Sequence, residues 1–284
     1  MSRLLPALFA LLTFSACMPM ERLFAPTADL MSDRWLRIAT TPGREPDYAA
    51  LNGFLDRYHH QAADGTARVR YAQVTEADKG ALETFLIAMQ QVDPAQLDRN
   101  QQLAYWINLY NAQTIRVILD HYPVDSIRDI GDGLLGLGPW ADADLRVNGA
   151  RLSLNDIEHG IIRPVFADPR IHYALNCAAV GCPNLAPQAW QGATLNAQLD
   201  AAEHAYIHDP RGVTLTGDGR VIVSKIYGWF REDFGGTEAS VLAYIKSRAN
   251  PDLRAALDAS GQIGGYAYDW GLNAAADTIA QAAE

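Results

Sequence analysis

Leu145-Arg146-Val147-Asn148-Gly149-Ala150-Arg151-Leu152 runs straight into Ser153-Leu154-Asn155-Asp156. The Asn-Gly pair between two alternating segments is a strong short-range hairpin signal. Ser153, with Asp156 at the third helical position, reads as a helix cap. A hairpin followed by a helix is the pattern of the whole chain, in which helices and hairpins interleave without a βαβ rhythm, so α+β is favoured over a doubly wound sheet.

The pattern extends in both directions. Tyr48, Leu51, Leu55 and Tyr58 recur at helical spacing, and Val69 to Val74 alternates like a strand. Thr75 with Asp78 starts a helix whose stripe is Leu82, Phe85, Leu86 and Met89. The clearest helix is Asn100 to His121, facing Leu103, Ile107, Tyr110, Thr114 and Val117 one way and ended by Pro123. The helix capped by Ser153 is expected to run to about Arg163, with Pro164 and Pro169 limiting it. Downstream, Ile171 to Leu175 reads as a short buried strand, Leu195 to Ile207 as a helix, and Val213 to Val223 as a second hairpin around Thr216-Gly217-Asp218-Gly219. Thr237 caps a late helix through Arg248. The expected whole is a single compact domain of helices on short antiparallel hairpins, covering 46–273. A spacer over 18–45 precedes it, with Trp35 docked on it, and an Ala-rich tail over 274–284 follows.

The N-terminus reads as an export signal over 1–17: Arg3, the apolar run Leu4 to Phe14, then Ser15-Ala16 before Cys17. The run is too short for a permanent membrane span. Leu12-Thr13-Phe14-Ser15-Ala16-Cys17 is similar to a bacterial lipobox, apart from the bulky Phe14, which makes Cys17 a lipidation candidate. Periplasm or cell envelope is the expected location, with membrane contact only through that anchor. The formal charge of −10 argues against nucleic acid.

His172-Tyr173-Ala174-Leu175-Asn176-Cys177-Ala178-Ala179-Val180-Gly181-Cys182-Pro183 carries the chemistry-bearing residues. A nucleophilic cysteine needs an imidazole or similar partner to hold it as thiolate. His159 on the preceding helix is the candidate base, with Glu158 or Asn111 to orient it and His172 as the alternative base. The same two cysteines also fit a disulfide, which an exported compartment favours. A metal site fits less well, since C-x4-C lies at the edge of ligand spacing, and no metal or cofactor is expected. Asn108 and Asn111, beside Trp106, share a helix face and either line a pocket or bond neighbouring loops. Trp106, Asn108, Asn111, Arg163 and Asn176 are therefore the candidate binding residues. Asn108, Asn176 and the amides near Ala178 are candidate oxyanion donors. Phosphate loops, Gly-x-Ser-x-Gly, His-Glu-x-x-His and dinucleotide fingerprints do not occur in the chain.

Five ordered motifs resemble the family called domain of unknown function 547. They are Tyr105-Trp106-Ile107-Asn108-Leu109-Tyr110-Asn111-Ala112, Ile157-Glu158-His159-Gly160-Ile161-Ile162-Arg163, the His172 to Pro183 segment, Ser224-Lys225-Ile226-Tyr227-Gly228-Trp229-Phe230 with Asp233-Phe234, and Tyr268-Asp269-Trp270-Gly271-Leu272-Asn273. Gly271 stands where the family has a serine. The resemblance implies a domain without an established activity, carried alone in exported bacterial proteins. It also implies a remote likeness to papain-like thiol enzymes, circularly permuted because His159 and His172 precede Cys177. Plant relatives that keep only the first cysteine imply a role for Cys177 beyond a disulfide. Two functions follow as expectations. One is a thiol-dependent acyl-transfer or amide-hydrolysing enzyme using Cys177 with His159. The other is a non-catalytic module that binds a small-molecule or peptide ligand, with a Cys177–Cys182 disulfide.

Overall fold

The computed structural model describes residues 25–131 and 138–275. The export signal, Cys17 and most of the Ala-rich tail lie outside the described residues. The expected α+β architecture is what the structure shows: helices surround two small antiparallel hairpins and one three-stranded sheet.

Helix α1 (Ala49–Tyr58) leads into the hairpin β1 (His59–Gln61) and β2 (Ala67–Val69). The strand expected over Val69 to Val74 coincides with β2 at Val69 alone, because Tyr71–Gln73 turns into a 3-10 helix that buries Tyr71. Helix α2 (Glu76–Gln90) starts on Thr75, whose side chain accepts from the Asp78 amide as the sequence implies. Helix α3 (Arg99–His121) is the centre of the first core. Asp98 and Gln101 form its capping box, a pair the sequence reading passed over. The helix is buried almost all round, not on one face, with Trp106 fully enclosed. The spacer over 18–45 contributes to that enclosure: Trp35 is buried and meets Trp106 edge-on at 5.4 Å.

Strands β3 (Leu145–Val147) and β4 (Ala150–Leu152) pair as expected, with positive φ at both Asn148 (47°) and Gly149 (77°). Those are the signs a two-residue primed turn needs. After Ser153, α4 (Leu154–Ile157), a π-turn (Glu158–Ile162) and α5 (Arg163–Phe166) follow without a break. Pro164 therefore sits inside the rod and does not limit it. The reason lies in the carbonyls: a proline there cannot donate back along the helix. The oxygens of His159 and Gly160 instead accept from the amides of Asp29 and Met31, each at 3.0 Å. The expected strand Ile171 to Leu175 is also corrected. Pro169–Tyr173 is a 3-10 helix capped by Asp168. A short run buried all round carries no period that separates strand from helix.

The second core gathers Tyr173, Tyr206, Tyr227, Phe234, Val241 and Ile245. It joins α6 (Leu195–Ile207), the hairpin β5 (Val213–Leu215) and β6 (Val221–Ser224), the short α7 (Ile226–Trp229), and α8 (Glu238–Arg248). Three of the elements here were not anticipated: α7, α9 (Pro251–Ser260), and β7 (Ile263–Ala267), which pairs parallel to β6 and makes the sheet order β5-β6-β7. After β7 the chain returns along the cysteine loop. Val180 and Gly181 amides donate to Gly271 (2.7 Å) and Asp269 (2.8 Å).

Candidate functional site

The π-turn sets the first group of side chains. One extra residue in the turn lets Glu158, His159 and Arg163 meet His172 from the following 3-10 helix. Arg163 forks onto Asp233, Nε to Oδ2 at 2.6 Å and Nη2 to Oδ1 at 3.2 Å. His172 Nε2 meets the same Oδ2 at 2.7 Å. Glu158 Oε1 lies 3.9 Å from His159 Nδ1 and 4.0 Å from His172 Nδ1. Phe230 closes the group, stacked on His172 at 4.5 Å and under the Arg163 guanidinium at 4.8 Å.

The proton positions follow from this geometry. A guanidinium only donates, so the 3.2 Å contact from Arg163 Nη1 makes His159 Nδ1 an acceptor and leaves its proton on Nε2. Burial, reinforced by the Arg163 charge, pushes His159 down to about 3, so the ring is neutral. Burial also lowers His172, partly offset by its bond to Asp233. Burial raises Glu158 above the usual carboxylate range, against the pull of His172 and Arg163. Burial would raise Asp233 too, but the hydrogen bonds from His172 and Arg163 prevail and hold it at about 2. The histidine side of the group is buried, with residues 26–31 crossing it and Pro26 accepting from Arg163 Nη1 at 2.7 Å, while Asp233 and Phe230 stay partly exposed.

The second group is the cysteine loop. Cys177 and Cys182 are joined as a disulfide. The Tyr268 hydroxyl lies 3.0 Å from each sulfur, and the Cys177 amide donates to Cys182 Sγ at 3.1 Å. The Cys177 sulfur is thus bonded to Cys182, while His159 Nδ1 meets Arg163 and His172 Nε2 meets Asp233. Cys177 also follows a 3-10 helix and begins no helix of its own. The permuted papain-like arrangement finds no support in this architecture. Tyr110 and Tyr268, the latter reaching both sulfurs, each lie within the field of Glu158.

The asparagines hold backbone. Asn108 exchanges two bonds with Trp190, donating to its carbonyl at 2.8 Å and accepting from its amide at 2.9 Å. Asn111 donates to the Ala174 carbonyl and accepts from the Asn176 amide, both at 2.9 Å. Asn176 donates to the Pro183 carbonyl and accepts from the Ala178 amide. All three side chains and Trp106 are buried. The proposed oxyanion donors are thus already committed, and the cavity that Asn108 and Asn111 line with Leu51, Ile115 and Trp190 is small, about 10 Å³.

Sequence reasoning left Asp233, Phe230 and Tyr268 out of the site, although each stood in a quoted motif. An acidic residue between aromatics was the available signal for Asp233. It also missed a surface cluster: Trp140, Trp229, Tyr268 and Trp270, all partly exposed. Tyr268 packs on Trp270 at 4.7 Å and Trp229 at 4.9 Å, and Trp140 reaches Trp270 at 5.8 Å. The Arg128 guanidinium lies 5.2 Å from the Trp270 ring centre. Among the described residues no group of His, Cys, Asp and Glu is arranged to hold a metal ion, and no helix is long and apolar enough to cross a membrane.

Comparison with known proteins adds one positive finding. No curated protein and no solved structure matches the chain. Residues 94–207 match the family described as "Protein of unknown function, DUF547", a span holding α3, Glu158, His159, Arg163, His172 and the cysteine loop, with Asp233 and Phe230 beyond it. The chain carries a DUF547 domain.

Proposed function

We propose that this is an exported cell-envelope protein whose domain binds an extended peptide, and that it is not a Cys–His hydrolase. The observation that carries the reading is the continuity of three features. Strand β7 is a sheet edge. It runs directly into Tyr268, and so into the partly exposed Trp229, Trp270 and Trp140. The disulfide adjoins the same tyrosine. An edge strand offers main-chain hydrogen bonds to an added strand, and large aromatics beside it supply apolar contact area. The hydrolase reading lacks what it needs, since both imidazoles are neutral, covered and bonded elsewhere. Export rests on the 1–17 signal, and a disulfide suits an oxidising compartment.

The test is to pan a displayed library of linear peptides against the protein purified without reductant. Peptides enriched by the wild type are expected to lose at least tenfold in affinity for Trp270→Ala and Trp229→Ala. Enriched peptides that bind both variants undiminished, or no enrichment at all, would refute the reading. Fractionation of cells making Cys17→Ser tests the location: the variant should leave the membrane fraction that holds the wild type.

A further inference from the structure

We propose that the Cys177–Cys182 pair is an exchangeable disulfide that oxidises dithiols, with Cys177 the sulfur attacked and Cys182 the sulfur that leaves. This goes beyond peptide binding and does not depend on it. Three features point to it. The two sulfurs differ in access: Cys177 is partly exposed, whereas Cys182 is 2% exposed. They differ in hydrogen bonding in the matching sense. Cys182 Sγ has both the Cys177 amide (3.1 Å) and the Tyr268 hydroxyl (3.0 Å) in reach, while among the described residues Cys177 Sγ has the hydroxyl alone. Burial keeps the Tyr268 hydroxyl protonated well above the usual phenol range, so it remains a donor when a thiolate forms. The loop is also held without its sulfurs, since Asn176 Nδ2 bonds the Pro183 carbonyl at 2.8 Å and Tyr206 bonds the Gly181 carbonyl at 2.7 Å.

The exchange balances as follows. A substrate thiolate attacks Cys177 Sγ, the Cys177–Cys182 bond breaks, and its electron pair goes to Cys182 as a thiolate held by two donors. The substrate's second thiolate then attacks the substrate sulfur of the mixed disulfide and releases Cys177. Two electrons pass to the protein pair, one substrate proton ends on Cys177 and the other goes to solvent while Cys182 stays a thiolate, and the substrate becomes a disulfide. Each pair performs one transfer, and exchange with a more oxidising disulfide reloads it by the reverse route. A leaving thiol stabilised as thiolate departs faster, which is what the two donors at Cys182 supply.

Glutathione is the probe. Folded protein is equilibrated in mixtures of reduced and oxidised glutathione, quenched with acid, and its thiols counted by mass. The pair should reduce without denaturant, and adducts trapped early should map to Cys177. Tyr268→Phe should shift the equilibrium about tenfold toward the disulfide, the worth of one charge-assisted hydrogen bond. A tyrosine with a packing role only would alter the unfolding midpoint and leave this equilibrium unchanged. The Cys182→Ser variant should hold glutathione stably on Cys177; if it does not fold, early-trapped wild type gives the same mapping. A pair that stays oxidised throughout, an adduct on Cys182, or an equilibrium indifferent to Tyr268→Phe would each overturn the proposal.

Discussion

Replacing His159 with Gln should remove a defined part of the protein's acid sensitivity. Gln keeps an acceptor for Arg163 Nη1, which now bonds His159 Nδ1 at 3.2 Å, but it does not titrate. In the folded chain burial and the Arg163 charge hold the imidazole at about 3, against an ordinary 6.5. The unfolded chain therefore binds a proton that the folded one refuses, at every pH between those values. The sign follows: stability falls as pH drops below 6.5, and the loss stops near 3. Each pH unit in that window is worth about 1.4 kcal/mol, so going from pH 7 to pH 5 costs the wild type about 2 kcal/mol from this ring. Glu158 has the opposite sign. Its folded value is raised above 4.5, so its contribution is present below 4.5 and is lost as pH rises. That contribution and the one from His172 enter both proteins alike and cancel in the difference. Urea unfolding at pH 7, 6 and 5 at constant ionic strength gives the measurement. The wild-type and His159→Gln stabilities should converge or cross by about 2 kcal/mol as pH falls. Parallel curves would refute the reasoning and place a protonated His159 in the folded state.

Three further outcomes follow from the same contacts. Asp233→Ala strands the Arg163 guanidinium, whose side chain is 2% exposed, and should cost about 3–5 kcal/mol in urea unfolding. In the wild type the Asp233 contribution is present above the ordinary carboxylate value of 3.8 and is lost as pH falls through about 2, so the penalty should shrink toward pH 2. Asn111→Ala leaves the Ala174 carbonyl and the Asn176 amide without partners, at about 1–3 kcal/mol for each group, read by the thermal midpoint. Trp35→Ala removes the edge-on partner of Trp106 and should cost about 3–5 kcal/mol. It should also expose the 26–31 segment to limited proteolysis.

The local chemistry of caps and turns was legible in the sequence, and what depended on distant partners was not. Asn148-Gly149, Thr75 with Asp78, and Thr237 each act within four residues, and each starts or turns an element where the sequence places it. Pro164 misled because its acceptable place in a rod depends on Asp29 and Met31, more than a hundred residues upstream, taking the freed carbonyls. Strand β7 has a short Gly264-Gly265 core with no alternation, and it exists because β6 offers a parallel edge. At the site, the residues named from sequence divide into two groups. Glu158, His159, Arg163 and His172 do meet, but around Asp233 and not around Cys177. The nearness of His159, His172 and Cys177 in sequence suggested a Cys177–His159 dyad with His172 as alternative base, while in the fold His159 meets Arg163, His172 meets Asp233 and Cys177 meets Tyr268.

The disulfide's contribution to stability separates a staple from an exchangeable pair. Chain-entropy reasoning gives a bridge across a separation of five residues about 2 kcal/mol. The true value should be smaller, because other contacts close the same loop. Asn176 Nδ2 reaches the Pro183 carbonyl at 2.8 Å, spanning nearly the same residues as the two cysteines. Arg211 Nη1 bonds the carbonyls of Val180 and Cys182, each at 3.1 Å, and the 269–273 segment pairs with Ala178, Val180 and Gly181. Reduced protein should therefore stay folded and lose no more than about 2 kcal/mol. Asn176→Ala in the oxidised protein should lose more, because it removes the partner of the Pro183 carbonyl, the Ala178 amide and Asn273 Nδ2 together. Urea unfolding with and without reductant decides the order of the two losses. A reduced protein that unfolds, or loses more than the asparagine variant, would make the bridge the element that holds the loop. An exchange reaction at Cys177 would then have to unfold the domain on every transfer.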